Sequence, residues 1–301
     1  MEQILLGAIS LGLLWSIMTL GVYISFRVLD VADMTVEGSI TLGAAVCARM
    51  IVSGNDPYLA LIIAFFAGTC AGLVTGLLHT KLRIPILLSG ILTMIALYSI
   101  NLRVMGMSNI SMLRMTTAYS FVSDLFNVSK TIAVMILGGG MAILLVLFLY
   151  WFFGTEIGSA IRATGNNLYM VRAQGINTDS TIIIGLMLAN GLVALAGGLI
   201  AQSQNYSDVQ MGTGSIVIGL ASLIIGEVLF GKRSFFSRLL SMLFGAITYR
   251  IIIALVLRMG MAADDLKLFT AITVALALSL PRFKDLKDVL KASMKGRKSN
   301  A

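Results

Sequence analysis

Nine apolar stretches divided by polar breaks run from Leu5 to Leu280. Most approach the ~20 residues that a helix needs to cross the hydrocarbon core of a bilayer. Inside that core every backbone N–H and C=O must be satisfied within the protein, so runs of this length must be helices. Charged residues make up 12% of the chain against 58% hydrophobic ones, and the mean hydropathy is +0.94. A soluble domain carries about 25% charge. This chain has too little polar surface to coat a globule of 301 residues. The expected fold class is all-α, a polytopic transmembrane helical bundle of eight or nine spans.

In chain order the stretches are Leu5–Phe26, Asp33–Val52, Tyr58–Leu78, Ile84–Leu102, Thr131–Phe153, Ile182–Ala201, Ser215–Phe230, Leu239–Leu257 and Leu266–Leu280. Residues 1–281 form the membrane domain and 282–301 a basic tail. The second stretch is unlike the others. Asp33, Thr35, Glu37, Ser39 and Thr41 crowd its first half, which predicts a broken or partly unwound start. Irregular backbone at membrane depth is tolerated only where protein or a water-filled cavity satisfies it. If this stretch merely lies in the interface, the span count falls to eight. In the third stretch Gly68, Gly72 and Gly76 repeat on one helical face, a packing seam without chemistry. Cys47 and Cys70 lie within apolar runs and read as small packing residues. A lone histidine, His79, cannot build a metal site.

The net charge of +8 carries topology rather than an affinity for nucleic acid. With nine spans and a cytoplasmic C-terminus, Arg27, Lys81, Arg83, Arg162, Arg172, Lys232, Arg233, Arg238 and seven tail residues fall inside. They are fifteen of the 22 Lys and Arg, and the bias favours this threading. The polar loop Thr155–Ser180 is then cytoplasmic, and Gly106–Lys130 and Gln202–Gly212 face outward. In Gly106–Lys130, Met112, Met115, Tyr119 and Val122 recur at helical spacing.

Chemistry is sparse. Gly226 to Lys232 imitates a phosphate loop, but Arg233 stands where Ser or Thr must bind Mg²⁺, and no strand precedes it. No other phosphate loop is present, so ATP hydrolysis belongs to another chain. The chain needs no cofactor of its own and is not an enzyme. The ionisable residues inside apolar runs are Glu37, Arg49, Arg103, Glu227 and Arg250, functional candidates because buried charge is costly in lipid. Arg250 lies mid-span, whereas Glu37 and Glu227 fall near the cytoplasmic ends of their spans. The pattern G-S-I-x-x-G-x-A occurs twice, at Gly38–Ala45 and Gly214–Ala221, each time opening a span. Opposed copies of one pattern are what an inverted-repeat transporter would show. This marks Glu37, Gly38, Ser39, Thr41, Gly43, Gly214, Ser215 and Gly219 as candidate lining of a translocation path. An ion-coupled carrier is the competing reading, but it would expose more Asp or Glu at mid-membrane.

The residues carry a resemblance. Asp33-Met34-Thr35-Val36-Glu37-Gly38-Ser39, followed by Leu42-Gly43-Ala44-Ala45, resembles the second hydrophobic element of ABC importer permeases of the branched-chain amino-acid and ribose type. Gly158–Asn167 (GSAIRATGNN), followed by Ala173-Gln174-Gly175-Ile176, is similar to that family's cytoplasmic signature. Arg172 departs from it, since small residues are frequent at that position. The first motif looks closest to a subgroup associated with uptake of amino acids, aromatic ones included; nucleosides or sugars are the alternative.

The resemblance implies a permease that pairs with a second copy, two cytoplasmic ATPase subunits that bind the ATP, and an external binding protein. The polar loop would then hold a coupling helix, made by Arg162, Gly165, Asn166, Asn167, Tyr169, Met170, Arg172 and Gly175. The arginines would supply charge-assisted contacts and the two glycines tight turns at either end. Met112, Met115, Tyr119, Asn205 and Tyr206 on the outer loops would dock the binding protein.

Overall fold

A computed structural model describes residues 2–231, 234–259, 265 and 268–272. Among them, seven helices are long and apolar enough to cross a membrane. They are α1 (Glu2–Tyr23, continued by a π-helical turn at Ile24–Val28), α2 (Thr35–Val52), α3 (Pro57–Thr80), α4 (Ile86–Met105), α6 (Lys130–Phe152), α9 (Thr178–Gln204) and α11 (Phe235–Arg258). Four other helices are shorter: α5 (Ala118–Phe126), α7 (Glu156–Asn166), α8 (Leu168–Ala173) and α10 (Ser215–Phe230). The expected all-α bundle is present. The proposed last span lies outside the described residues except for a helical fragment at 268–272, and the basic tail lies outside them entirely.

α9 is the axis of the bundle. Gly68 and Gly72 of α3 lie against the backbone carbonyls of Asn190 and Leu186, and Gly76 lies against Ile183. On α2, Gly43 abuts Ala194, while Gly197 of α9 abuts the carbonyl of Ile40. Gly21 of α1 meets the carbonyl of Ala189. Lipid tails are as apolar as leucine, so hydrophobicity does not drive helices together inside the bilayer. Close backbone approach takes its place, and the glycine series on α3 is the seam its spacing predicts.

The polar crowding predicts a broken first half of the second stretch, and the structure corrects this. α2 is regular from Thr35, so Thr35, Glu37, Ser39 and Thr41 all lie on the helix, and the irregular backbone is confined to residues 29–34 before it. Asp33 is fully buried. Its Oδ1 accepts from the Thr35 backbone N–H at 2.9 Å and its Oδ2 from Asn190 Nδ2 at 2.7 Å. Asn190 Oδ1 accepts in turn from Ser39 Oγ at 2.7 Å, and the Thr35 and Thr75 hydroxyls share a hydrogen bond at 2.7 Å. Leu29 and Val31 keep backbone hydrogen bonds to the Ile24 and Ser25 carbonyls, and the side-chain network anchors Asp33 just before the helix.

α7 and α8 form one face of the bundle, here the loop face. The opposite face carries a two-stranded antiparallel ribbon, β1 (Asn109–Ser111) with β2 (Tyr206–Asp208), in which Ile110 stands opposite Ser207. The helical spacing of Met112, Met115, Tyr119 and Val122 misleads in its first half. Met112 and Met115 precede a helix that begins only at Ala118, where Thr117 and Ser120 form a reciprocal capping box. Tyr119 donates to the Leu199 carbonyl at 3.1 Å and Ala118 N–H to Gln202 Oε1 at 2.8 Å, so α5 is pinned to the end of α9. Burial pushes the Tyr119 phenol well above its ordinary value, keeping it a neutral donor.

Candidate functional site: a turn between two cavities inside the bundle

After β2 the chain does not stay at the ribbon face. It dives back into the bundle, and α10 starts there. Gly212 lies against the carbonyl of Glu37 and the hydroxyl of Thr41. Gly214, with φ of +81°, donates its N–H to Glu37 Oε1 at 3.0 Å. Glu37 lies fifteen residues before the end of α2 at Val52, about 22 Å along the helix. Glycine is needed at both positions for different reasons. At Gly212 a side chain would strike α2, and at Gly214 the left-handed backbone suits only glycine without strain.

The two G-S-I-x-x-G-x-A segments therefore meet. Each opens a helix, and the helices run in opposite directions. α2 parallels α9, since Ser39, Gly43 and Cys47 meet Asn190, Ala194 and Gln202 in ascending order. α10 parallels α1, since Gly219 packs on Met18 and Val22, and Glu227 pairs with Arg27 at 2.5 Å. α1 opposes α9: Gly21 meets Ala189 and Val193, whereas Leu29, further along the chain, meets Gly185.

The turn at 212–214 divides two cavities. One, of about 380 Å³, is lined by Glu37, Gly38, Thr41, Tyr98, Asn101 and Thr213, with Met94, Ile95, Ser99 and Val209. The other, of about 250 Å³, is lined by Thr213, Gly214, Val217, Ile218, Tyr249 and Arg250, with Ile253, Thr270 and Ala271. Thr213 belongs to both. Among the described residues five buried polar atoms lack a protein partner. Four of them lie near this turn: Asn101 Oδ1, Ser215 Oγ, Arg250 Nε and the Trp15 Nε1 beneath Arg250, while Ser222 Oγ lies seven residues further along α10. Such atoms are rare in a folded core, because each costs free energy to desolvate. Their grouping fits a route for a polar solute better than a packed interior.

At the loop face, α7 runs back toward the bundle and α8 projects from it. Thr155 caps α7 and Asn167 caps α8. The side chain of Tyr169 is 83% exposed and that of Met170 is 55% exposed. Arg172 Nε donates to Thr178 Oγ1 at 2.7 Å, and its guanidinium pairs with Asp179 at 3.4 Å, fastening α8 to the first turn of α9. Thr164 and Thr181 share a hydroxyl hydrogen bond at 2.8 Å, which fastens α7 to the same helix. Arg162 lies over the Phe235 ring, 4.6 Å from its centroid. It helps line a cleft of about 550 Å³ with Tyr150, Trp151, Thr155 and Phe236.

The family described as the branched-chain amino acid transport system permease component matches residues 4–279. The chain belongs to this family. The permease is 42% identical to the tyrosine transport system permease protein of Clostridioides difficile, over 90% of its own length and 88% of that relative. It is 34% identical to an uncharacterized protein of Rickettsia prowazekii, over 94% and 100% of the two chains. It is 28% identical to the autoinducer 2 import system permease LsrC of Yersinia pseudotuberculosis, over 67% and 55%. No solved structure matches it. The permease is a multi-pass protein of the cell membrane and a transport component.

The structure sorts the residues expected to line a path. Glu37, Gly38, Thr41 and Gly214 border the two cavities. Ser39 is bonded to Asn190, Gly43 is pressed on α9 and Gly219 on α1, so these three hold helices together. Ser215 is buried beside the turn. Glu37 lies deeper than expected: Gly38 accepts from Asn101 of α4, fifteen residues beyond the start of that helix at Ile86. In the coupling set, Gly165 does not form a turn. It sits within α7, where its Cα is pressed on the carbonyl of Val28, so an Asp there would disturb the fold. Gly175, with φ of +81°, is the turn residue. Asn166 and Asn167 are exposed at the α7–α8 junction.

Of the outer residues, Met112 and Tyr119 are fully buried and cannot touch a partner, whereas Met115 and Tyr206 are exposed. Asn205, half-buried, closes α9 in the left-handed conformation. Sequence reasoning missed Asn101, Tyr98 and Thr213. Only the polar interruption of α4 by Tyr98, Ser99 and Asn101 could have flagged the first two.

Proposed function

We propose that the permease imports an amino acid, of the aromatic class, as the membrane-spanning part of an ATP-driven transporter. It works as a pair of identical copies. Two ATPase subunits bind ATP and dock on the loop face, and an external binding protein docks on the ribbon face, where Met115 and Tyr206 are exposed. The loop face is cytoplasmic in this reading, in keeping with Arg27, Lys81, Arg83, Arg162 and Arg172 near that end. The amino-acid class rests on the 42% identical relative named for tyrosine, which outweighs the 28% identical autoinducer 2 permease.

The single observation that carries the reading is the build of α8. A helix of six residues presents an aromatic ring and a methionine outward while Arg172 locks its far end to α9. Such an element transmits a push rather than absorbing it. The α9 helix that receives the push holds Asp33 and Ser39 through Asn190, and α2 in turn holds the Gly214 turn through Glu37. Rocking of α9 would pass through α2 to the 212–214 turn that borders both cavities, and two positions of that turn would supply the two arrangements that alternating access requires.

The test is copurification of the tagged permease with its ATPase, then uptake of labelled tyrosine into proteoliposomes holding permease, ATPase and binding protein. The expected result is uptake that stops when ATP or the ATPase is withheld. Uptake by the permease alone on an ion gradient would overturn the reading.

A further inference from the structure

Arg250 lies eight residues before the end of α11 at Arg258, about 12 Å along the helix. A guanidinium at such depth normally pairs with a carboxylate or with backbone carbonyls. The ion pairs among the described residues are Arg27–Glu227 and Arg172–Asp179, and neither involves Arg250. Its Nε is buried with no hydrogen-bond partner among the described residues. One face of the guanidinium is covered by the Trp15 ring, with 4.2 Å from Cζ to the centroid. The rest borders the smaller cavity, whose other walls carry Val217, Ile218 and Ile253 beside the hydroxyl residues Thr213, Tyr249 and Thr270. The start of α10 does not supply the anion site, because Glu37 already accepts from Gly214 there. Among the described residues, the cation facing the cavity is Arg250.

We propose that Arg250 is a carboxylate-binding station on the transport path, taking the α-carboxylate of the amino acid while Val217, Ile218 and Ile253 receive its side chain. This rests on the importer reading above. The chemistry favours it on three counts. A guanidinium offers a planar fork that matches a carboxylate. Trp15 holds that fork flat while leaving its edge open. A mainly apolar cavity with one cation suits a carboxylate joined to an apolar or aromatic body. The phosphate of an anionic lipid shares the charge, so the experiment separates the two sources.

Trp15 and Trp151 are the two tryptophans of the chain, so Trp151→Phe leaves Trp15 as a reporter in contact with Arg250. The full-length permease carrying W151F is placed in nanodiscs and excited at the red edge of indole absorption, where phenylalanine does not absorb. L-Phenylalanine should change Trp15 emission saturably, and phenethylamine, which lacks the carboxylate, should not. Arg250→Gln should weaken the response about tenfold or more, the loss expected of a charge-assisted hydrogen bond. Arg250→Lys keeps the charge without the fork and should fall between, which guards against a glutamine variant that fails to fold. An equal response to phenethylamine, or an unchanged response in R250Q, would overturn the station. So would emission that follows the phosphatidylglycerol content of the disc and ignores phenylalanine, since a lipid phosphate would then hold Arg250. In the reconstituted complex, wild-type rates of ATP-driven uptake by R250Q would overturn the station and leave the importer reading standing. Failure of the wild-type complex to import any amino acid would overturn both.

Discussion

Tyr169→Ala separates docking from folding. The ring is 83% exposed at the tip of α8. Its removal deletes almost no internal packing, so the stability of the isolated permease should change by no more than about 0.5 kcal/mol, as at other surface sites. Docked into an ATPase cleft, an aromatic anchor of this kind is worth about 2 kcal/mol or more. That energy corresponds to a roughly 30-fold weaker Kd. The assay is titration of immobilised permease nanodiscs with purified ATPase, beside thermal melts of the same preparations. The melt should overlay that of the wild type while the Kd rises, and uptake should recover when the ATPase is supplied in excess. A Kd within about threefold of the wild type, where ~0.65 kcal/mol is lost, would refute α8 as the docking element. A melt lowered by several degrees would refute the premise that Tyr169 faces outward.

The remaining predictions probe the interior. Gly165→Ala should lower the melting temperature, because its methyl group meets the Val28 carbonyl and overpacking costs about 1–3 kcal/mol; Gly7→Ala, with nothing near its Cα, should leave the melt unchanged. Asn190→Leu should destabilise the bundle by about 1–3 kcal/mol for each polar group it orphans, and those groups are Asp33 and Ser39; a melt equal to the wild type would contradict the network. Gly212→Ala should push the turn away from Glu37 and Thr41, cutting uptake while ATPase association measured by pull-down stays intact.

Much of this architecture is written in local pattern, and the part that is not has a physical reason. Lipid-facing helices must be apolar along their whole length, so α3, α6 and α11 stand out in the sequence. The glycine seam on α3 is legible because close packing in lipid demands small residues at helical spacing. The irregular approach to α2 is legible in part, because Asp33 has no other tolerable reason to sit beside an apolar run. The regular helix from Thr35 through the polar Glu37, Ser39 and Thr41 is not. Partners are another matter. That Asp33 is satisfied by Asn190, 157 positions away, depends on the register of two helices, which no local pattern encodes. The same holds for Gly165. Read alone, a glycine after Thr164 looks like a turn; only the position of Val28 reveals it as a contact point. The methionine spacing at Met112 and Met115 mimicked a helix that the Thr117–Ser120 capping box starts later.

Asn190 is where these threads cross. Its amide donates to Asp33 and to the Leu186 carbonyl and accepts from Ser39. It therefore ties α9 both to the irregular segment before α2 and to the first turns of α2 itself. Glu37, two residues before Ser39, fixes Gly214 and with it the start of α10. On the proposed reading, the fixed ends of this chain are Arg172 at the loop face and Gly214 between the cavities. Every link between them is a hydrogen bond to a helix whose backbone is held rigid by its own ladder. The turn between α8 and α9 is bridged by Arg172 to Thr178 and Asp179, so on this reading a displacement of α8 passes to α9 and is taken up where the chain lacks a regular ladder. Those places are the stretch 209–214 before α10 and the segment 29–34 before α2. An element that changes shape on each transport cycle would have to be built there, and the polar atoms left unbonded beside the 212–214 turn leave room for that change.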